Sequence, residues 1–128
     1  MRTPLHRSDF LREAKTLFPS LKEDLNKQYG LLHLEMHAFC DFVQTAIDQG
    51  DRSTVAQAFN FSARLLAEGN SQLVNALTVS MLEHLNFEDG KVQRSWAQVL
   101  MPQTLAAQYR VIVEYNQRSR ELKGPGSI

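Results

Sequence analysis

The central part of the chain, residues 31–85, reads LLHLEMHAFCDFVQTAIDQGDRSTVAQAFNFSARLLAEGNSQLVNALTVSMLEHL. Two short junctions divide it, Gly50-Asp51 and Gly69-Asn70. Glycine adopts the left-handed conformation that ends many helices, and Asp or Asn accepts hydrogen bonds from the N–H groups that begin the next helix. The pattern therefore predicts three consecutive helices, 32–49, 52–67 and 71–85, joined by tight turns.

The first of these helices has a clear apolar face with one exception. At 100° per residue, Glu35 falls among the apolar residues of that face, and His84 lies on the apolar face of helix 71–85. A buried carboxylate without a partner is unstable, so the sequence predicts that Glu35 and His84 form a buried polar pair, or that each finds a backbone or hydroxyl partner such as Ser80. Such a pair would serve acid–base or metal chemistry, or would only fix the register of the two helices.

The N-terminal part of the chain predicts two shorter helices. Ser8 can cap the first, and Pro19 ends it because proline inside a helix removes a hydrogen bond and clashes with the preceding turn. A capping-box pattern, Ser20-Leu21-Lys22-Glu23, then begins a helix of residues 21–29. Residues 1–7 are expected to be a loose leader.

The C-terminal part predicts two more helices, 92–100 with Trp96 on its inner face, and 103–122 with Pro102 before its first turn. Residues 123–128 are expected to be a flexible tail. No segment alternates like a strand. The sequence therefore predicts a single all-α domain, residues 1–128, of six to seven helices, arranged as an antiparallel helical bundle or as a short helical-repeat-like stack.

Length and composition fit one globular domain. The chain has 128 residues, and no apolar run approaches the roughly 18–20 residues that span a bilayer. The N-terminus has no apolar stretch after its basic residues, so no signal peptide and no membrane association are predicted. The single cysteine, Cys40, cannot form an internal disulfide, and a reducing, cytoplasmic location is the expectation.

Charge is unevenly distributed although the net charge is zero. Residues 1–29 carry six basic and four acidic side chains, residues 30–90 two and eight, and residues 91–128 six and two. An acidic middle predicts a basic protein partner rather than nucleic acid, which requires a basic face; the alternative is that these acids are ordinary solvated helix faces. The candidate partner-binding residues are the acids of the middle helices and their turns: Asp41, Asp48, Asp51, Glu68, Glu88 and Asp89.

Catalytic and cofactor motifs are missing from the sequence. It contains no glycine-rich phosphate loop, no nucleophile elbow and no paired cysteine motif, so neither a cofactor nor an enzymatic activity is predicted. His33 and His37 are four residues apart and could bind zinc with Asp41, but Glu35 points to the other face, which rules out the usual metalloprotease arrangement. An exposed polar stripe is the favoured interpretation.

Residues from about 29 to 117 resemble a family of small, all-helical bacterial proteins of largely unknown function. The resemblance depends on packing and turn signatures, chiefly Tyr29-Gly30-Leu31-Leu32-His33-Leu34-Glu35-Met36, Val79-Ser80-Met81-Leu82-Glu83-His84-Leu85 and Leu100-Met101-Pro102. Some proteins that look like this lie beside polymorphic toxin genes of contact-dependent or type VI systems. The resemblance therefore implies an immunity protein that binds a cognate toxin, and it implies no catalytic residues. A helical adaptor or regulatory subunit of a bacterial complex, or a homodimer formed through Trp96 and the last helix, is the alternative.

Overall fold

The computed structural model describes residues 3–122, with side chains to residue 119. Seven α-helices follow one another in this range: α1 Arg7–Leu17, α2 Lys22–Lys27, α3 Leu32–Asp48, α4 Arg52–Glu68, α5 Ser71–Ser80, α6 Ser95–Gln98 and α7 Gln103–Leu122. Single 3₁₀ turns occupy Pro19–Leu21 and Leu82–His84. No strand occurs in this range, so the predicted all-α fold is confirmed as a single domain.

The three central helices form the framework of the domain. Helix α3 packs against both α4 and α5, and α4 packs against α5, so the three helices share one core. Four phenylalanines extend this core to α1 and the first 3₁₀ turn, with the meeting ring centroids 5.8–6.3 Å apart: Phe10, Phe18, Phe39 and Phe61. Cys40 is buried in the same core, and this burial raises the pKa of its thiol to about 12. The Cys40 thiol is therefore packed in the core and unreactive.

The two junctions of the central segment are built differently. Gly50 has φ +72°, the left-handed conformation that the sequence predicts, and the Asp51 side chain accepts the Thr54 N–H at 3.2 Å. Gly69 is not left-handed, with φ −73° and ψ 153°. It is required for space instead, because a Cβ atom there would lie 2.5 Å from the Leu65 carbonyl oxygen. The junctions are therefore not copies of one repeated turn.

Helix α5 ends earlier than predicted, at Ser80 rather than residue 85. Met81 leaves the helical conformation with φ −125° and ψ −66°, and the 3₁₀ turn that follows brings Leu82 fully into the core. This change of direction turns His84 outward. The prediction that His84 lies on a buried helix face is therefore wrong, because the helix that would have placed it there stops four residues before it.

The expectation of a loose leader is wrong for the described residues 3–7. The Leu5 N–H donates to the Glu68 carbonyl and the Leu5 carbonyl accepts the Asn70 N–H, both at 2.8 Å. Helix α1 then begins at Arg7, one residue after His6, instead of after Ser8. This segment is therefore fixed to the junction between α4 and α5. The expected tail, residues 123–128, lies outside the described residues.

The region between α5 and α7 contains less helix than predicted. Only Ser95–Gln98 is helical within the predicted range 92–100. Trp96 is half-buried there, its ring N–H donates to the Gln93 carbonyl at 2.9 Å, and the Arg52 guanidinium lies 4.8 Å from its ring centroid. None of the helices described is long and apolar enough to cross a membrane.

Candidate protein-binding surface

The buried carboxylate of α3 is paired with the N-terminal helix. Glu35 is fully buried, as the sequence predicts, and its two oxygens accept hydrogen bonds from Nε and Nη2 of Arg7 at 2.7 and 2.6 Å. The Gly30 N–H adds a third bond at 3.3 Å. The hydrogen bond to Glu35 raises the pKa of the Arg7 guanidinium, which stabilises the charged form of Arg7. The predicted pairing of Glu35 with His84 is wrong, because α1 covers this end of α3.

His33, His37 and His84 lie on the surface. His84 is exposed and its ring centroid is 5.3 Å from that of His37, which also lies 3.6 Å from the Asp41 carboxylate. His33 and Ser80 share a hydrogen bond of 2.7 Å, so Ser80 partners neither Glu35 nor His84. Within residues 3–119, no three His, Cys, Asp or Glu side chains are arranged to hold a metal ion. The His33, His37 and Asp41 stripe therefore does not form a three-ligand site.

Two of the six candidate acids hold the α3–α6 end of the domain together. The Asp48 carboxylate accepts the Arg94 Nε–H at 2.6 Å, and this hydrogen bond lowers the pKa of Asp48. Asp89 accepts the Ser95 hydroxyl at 2.6 Å and the backbone N–H groups of Arg94 and Ser95 at 2.7 and 2.9 Å. These bonds, with the Ser95 hydroxyl first, lower the pKa of Asp89. Both carboxylates therefore have structural roles at the start of α6.

Two further acids also have partners within their own helix. Asp51 caps α4, and the hydrogen bond from the Thr54 hydroxyl at 2.7 Å lowers its pKa. Glu68 accepts the Arg64 Nε–H at 3.2 Å near the end of α4. Only Asp41 and Glu88 of the six candidates lack such a cap or guanidinium partner among the described residues. Glu88 is exposed in the segment before α6.

Asp41 lies in a groove of about 440 Å³ between α2 and α3. We call this surface the α2–α3 groove; it is lined by Asp24, Lys27, Gln28, Leu34, His37, Ala38, Asp41, Phe42 and Thr45. Leu34 is 47% exposed within it. Tyr29 and Leu31, in the connection between the two helices, are 70% and 58% exposed but do not line the groove. Within the groove, Leu34 lies together with the carboxylates of Asp24 and Asp41.

The α2–α3 groove was not predicted from the sequence, although a signal for it is present there. Leu34 is an apolar residue on the polar side of α3, where the helical period calls for a charged or polar side chain. In the sequence, Tyr29 and Leu31 flank Gly30 at a predicted helix boundary, and nothing in the pattern predicts that they are exposed. Their exposure follows from the position of α2, which packs beside α3 without covering them.

The structure defines a small all-α domain with a mixed polar and apolar groove. Residues 11–117 match a protein family described as a domain of unknown function, DUF7674, and the chain belongs to this family. The match begins at residue 11, so most of the N-terminal helical region around Pro19, which was expected to lie outside the family resemblance, is part of the family domain. No curated protein and no solved structure shows significant similarity to the chain.

Proposed function

We propose that the chain is a non-catalytic protein-binding module, specifically an immunity protein that binds and neutralises a cognate bacterial toxin domain. The observation that carries this proposal is the α2–α3 groove, where the exposed Leu34 and the partly buried Ala38 and Phe42 lie together with the carboxylates of Asp24 and Asp41. A contiguous apolar surface with a polar rim is typical of a site that binds another protein. The resemblance to immunity proteins supports a toxin domain as the class of partner.

The chemistry of the groove favours a partner segment that presents a basic side chain next to an apolar one. The Asp41 side chain is 73% exposed and its carboxylate lies 3.6 Å from the His37 ring, while Asp24 lies 4.0 Å from Lys27. A toxin lysine or arginine would pair with Asp41 as an apolar neighbour packs on Leu34. Toxins that act on nucleic acids have basic surfaces, and an acidic inhibitor speeds the encounter with such a surface and covers it.

The first experiment is a protection assay. Each toxin domain encoded beside the gene for this chain is coexpressed with the chain, and survival of the host cells is measured. We expect one domain to be toxic alone and harmless with the wild-type chain, and we expect Leu34→Glu to abolish protection because it places a charge on the apolar floor of the groove. Val79→Glu is the matched control, since Val79 is also partly exposed, at 40%, but lies on α5.

Binding kinetics then distinguish the groove from a general acidic surface. Asp41→Lys should slow association with the protected toxin about two- to tenfold at low salt. Glu88→Lys makes the same change of charge at an exposed acid outside the groove and should leave the rate unchanged. If both variants slow association equally, the acidic surface acts as a whole. If Asp41→Lys and Leu34→Glu both bind as the wild type does, the groove is not the contact surface.

A further inference from the structure

The outer face of α7 carries an apolar stripe that none of the described residues covers. Ala107, Val111 and Tyr115 are four residues apart and therefore share one face of the helix. All three are exposed, Val111 at 59% and Tyr115 at 69%. A different face of the helix holds the buried Leu105 and Ile112, by which α7 packs on the domain. The outer stripe is thus additional apolar surface that the monomer does not use.

Charged residues flank this stripe on one side only. Arg110 and Glu114 are four apart, both exposed, and neither forms an ion pair within residues 3–119. In an antiparallel pair of identical helices, the same flank of each helix lies on the same side of the interface, and the two chains run in opposite directions. A pair centred on Val111 would therefore bring Arg110 near Glu114 of the second copy, and would place the small Ala107 opposite the large Tyr115. In a parallel pair the charged flank of each helix would instead meet the uncharged flank of the other, so Arg110 and Glu114 would gain no partner in the second copy.

We propose that a second copy of this chain binds here, through antiparallel packing of α7 on α7 around a two-fold axis at Val111. The face is self-complementary in both size and charge, which is what an isologous interface between identical subunits requires. The proposal is independent of toxin binding, because α7 contributes no residue to the α2–α3 groove.

The expected affinity is modest. From Ala107 to Tyr115 the stripe is about 12 Å long at 1.5 Å per residue, and only Val111 and Tyr115 on it are large. A single helix pair of this length buries less than the roughly 800 Å² per subunit of a standard stable interface. Self-association should therefore appear at tens to hundreds of micromolar and should be reversible.

Sedimentation equilibrium of the full chain over a range of concentrations tests the proposal. We expect a monomer–dimer equilibrium that Val111→Glu weakens at least tenfold, whereas Val99→Glu, at a valine 84% exposed and outside the stripe, leaves it unchanged. Circular dichroism establishes that each variant is folded, and Ala107→Glu is a second disruptive variant. A chain that is monomeric at every concentration, or a dimer that neither Val111→Glu nor Ala107→Glu weakens, overturns the proposal.

Charge exchange and crosslinking test the antiparallel geometry. Arg110→Glu or Glu114→Arg alone should weaken the dimer, because each places four like charges together, and the double variant should restore it. Val111→Cys should be joined to itself by a short bismaleimide reagent, since the residue lies on the two-fold axis, and Val99→Cys should not. The native thiol of Cys40 is buried and adds little background. Failure of the double variant to restore association, or equal crosslinking at both positions, contradicts the antiparallel arrangement.

Discussion

Removing the Arg7 side chain is the sharpest test of how this domain is held together. Arg7→Ala deletes two of the three hydrogen bonds to Glu35 and leaves a fully buried carboxylate with only the Gly30 N–H at 3.3 Å. Breaking a buried ion pair by removing one partner costs about 3–5 kcal/mol. Because the Arg7 side chain is itself 31% exposed, water can enter the vacated space, so we expect a loss of about 2–4 kcal/mol in the free energy of unfolding.

This loss is readily measured by urea unfolding and by thermal denaturation. For a domain of this size, with an unfolding entropy of about 2.1 cal/mol/K per residue, 1 kcal/mol corresponds to about 4 °C, so the Tm should fall by about 7–15 °C. Arg12→Ala is the matched control on the same helix. Arg12 is 66% exposed and pairs with Asp9, so its removal should change the Tm by at most about 2 °C.

A second variant separates the unpaired charge from lost packing. Adding Glu35→Gln to Arg7→Ala removes the buried negative charge, and the double variant should recover at least about 1 kcal/mol relative to Arg7→Ala. The reasoning fails if Arg7→Ala destabilises the domain no more than Arg12→Ala does. It also fails if Glu35→Gln destabilises the Arg7→Ala chain further, since the charge would then not be the source of the cost.

Three further predictions concern helix ends and acid stability. Asn70→Ala removes the acceptor of the Leu73 N–H at the start of α5 and should cost about 1 kcal/mol in urea unfolding. Gly50→Ala should cost about 1–2 kcal/mol because an L side chain is strained at φ +72°, whereas Gly90→Ala, at a glycine without positive φ and with open space around it, should be nearly neutral. The hydrogen bond from Arg94 holds the folded-state pKa of Asp48 below its ordinary value of 3.8. This bond therefore stabilises the folded chain above about pH 4, and the stabilisation is lost as the pH falls further. We expect the free energy of unfolding of Arg94→Ala to fall less than that of the wild type between pH 7 and pH 3.

Much of the helical framework was predictable because its signals are local. The ends of α3 and α4 fall within one residue of their predicted positions, since glycine, capping residues and the apolar period all act within a few residues of the boundary. The burial of Glu35 was also predictable, because its place among apolar neighbours depends only on the helical period. The end of α5 was not predictable, since the helical period continues through Leu85 and only packing of Leu82 into the core breaks it.

The partners of charged residues could not be read from the sequence. Arg7 is 28 residues from Glu35, and Arg94 is 46 residues from Asp48. The local pattern indicates that Glu35 is buried and needs a partner. It does not indicate which of the distant basic residues that partner is. The predicted pairing of His84 with Glu35 required helix 71–85 to be continuous, and whether that helix continues depends on tertiary packing.

The distribution of charge shows most clearly which features of the protein follow from local sequence and which follow from tertiary packing. The alternation of basic, acidic and basic segments is present in the sequence, as are the all-α fold and the order of the long helices. Only the tertiary structure brings the two basic ends to the acidic middle. There Arg7 and Arg94 pair with Glu35 and Asp48, while Asp41 stays exposed in the α2–α3 groove. The physical reason is that helix formation depends on neighbours a few residues away, whereas the choice of ion-pair partners and of exposed surface depends on how the helices pack.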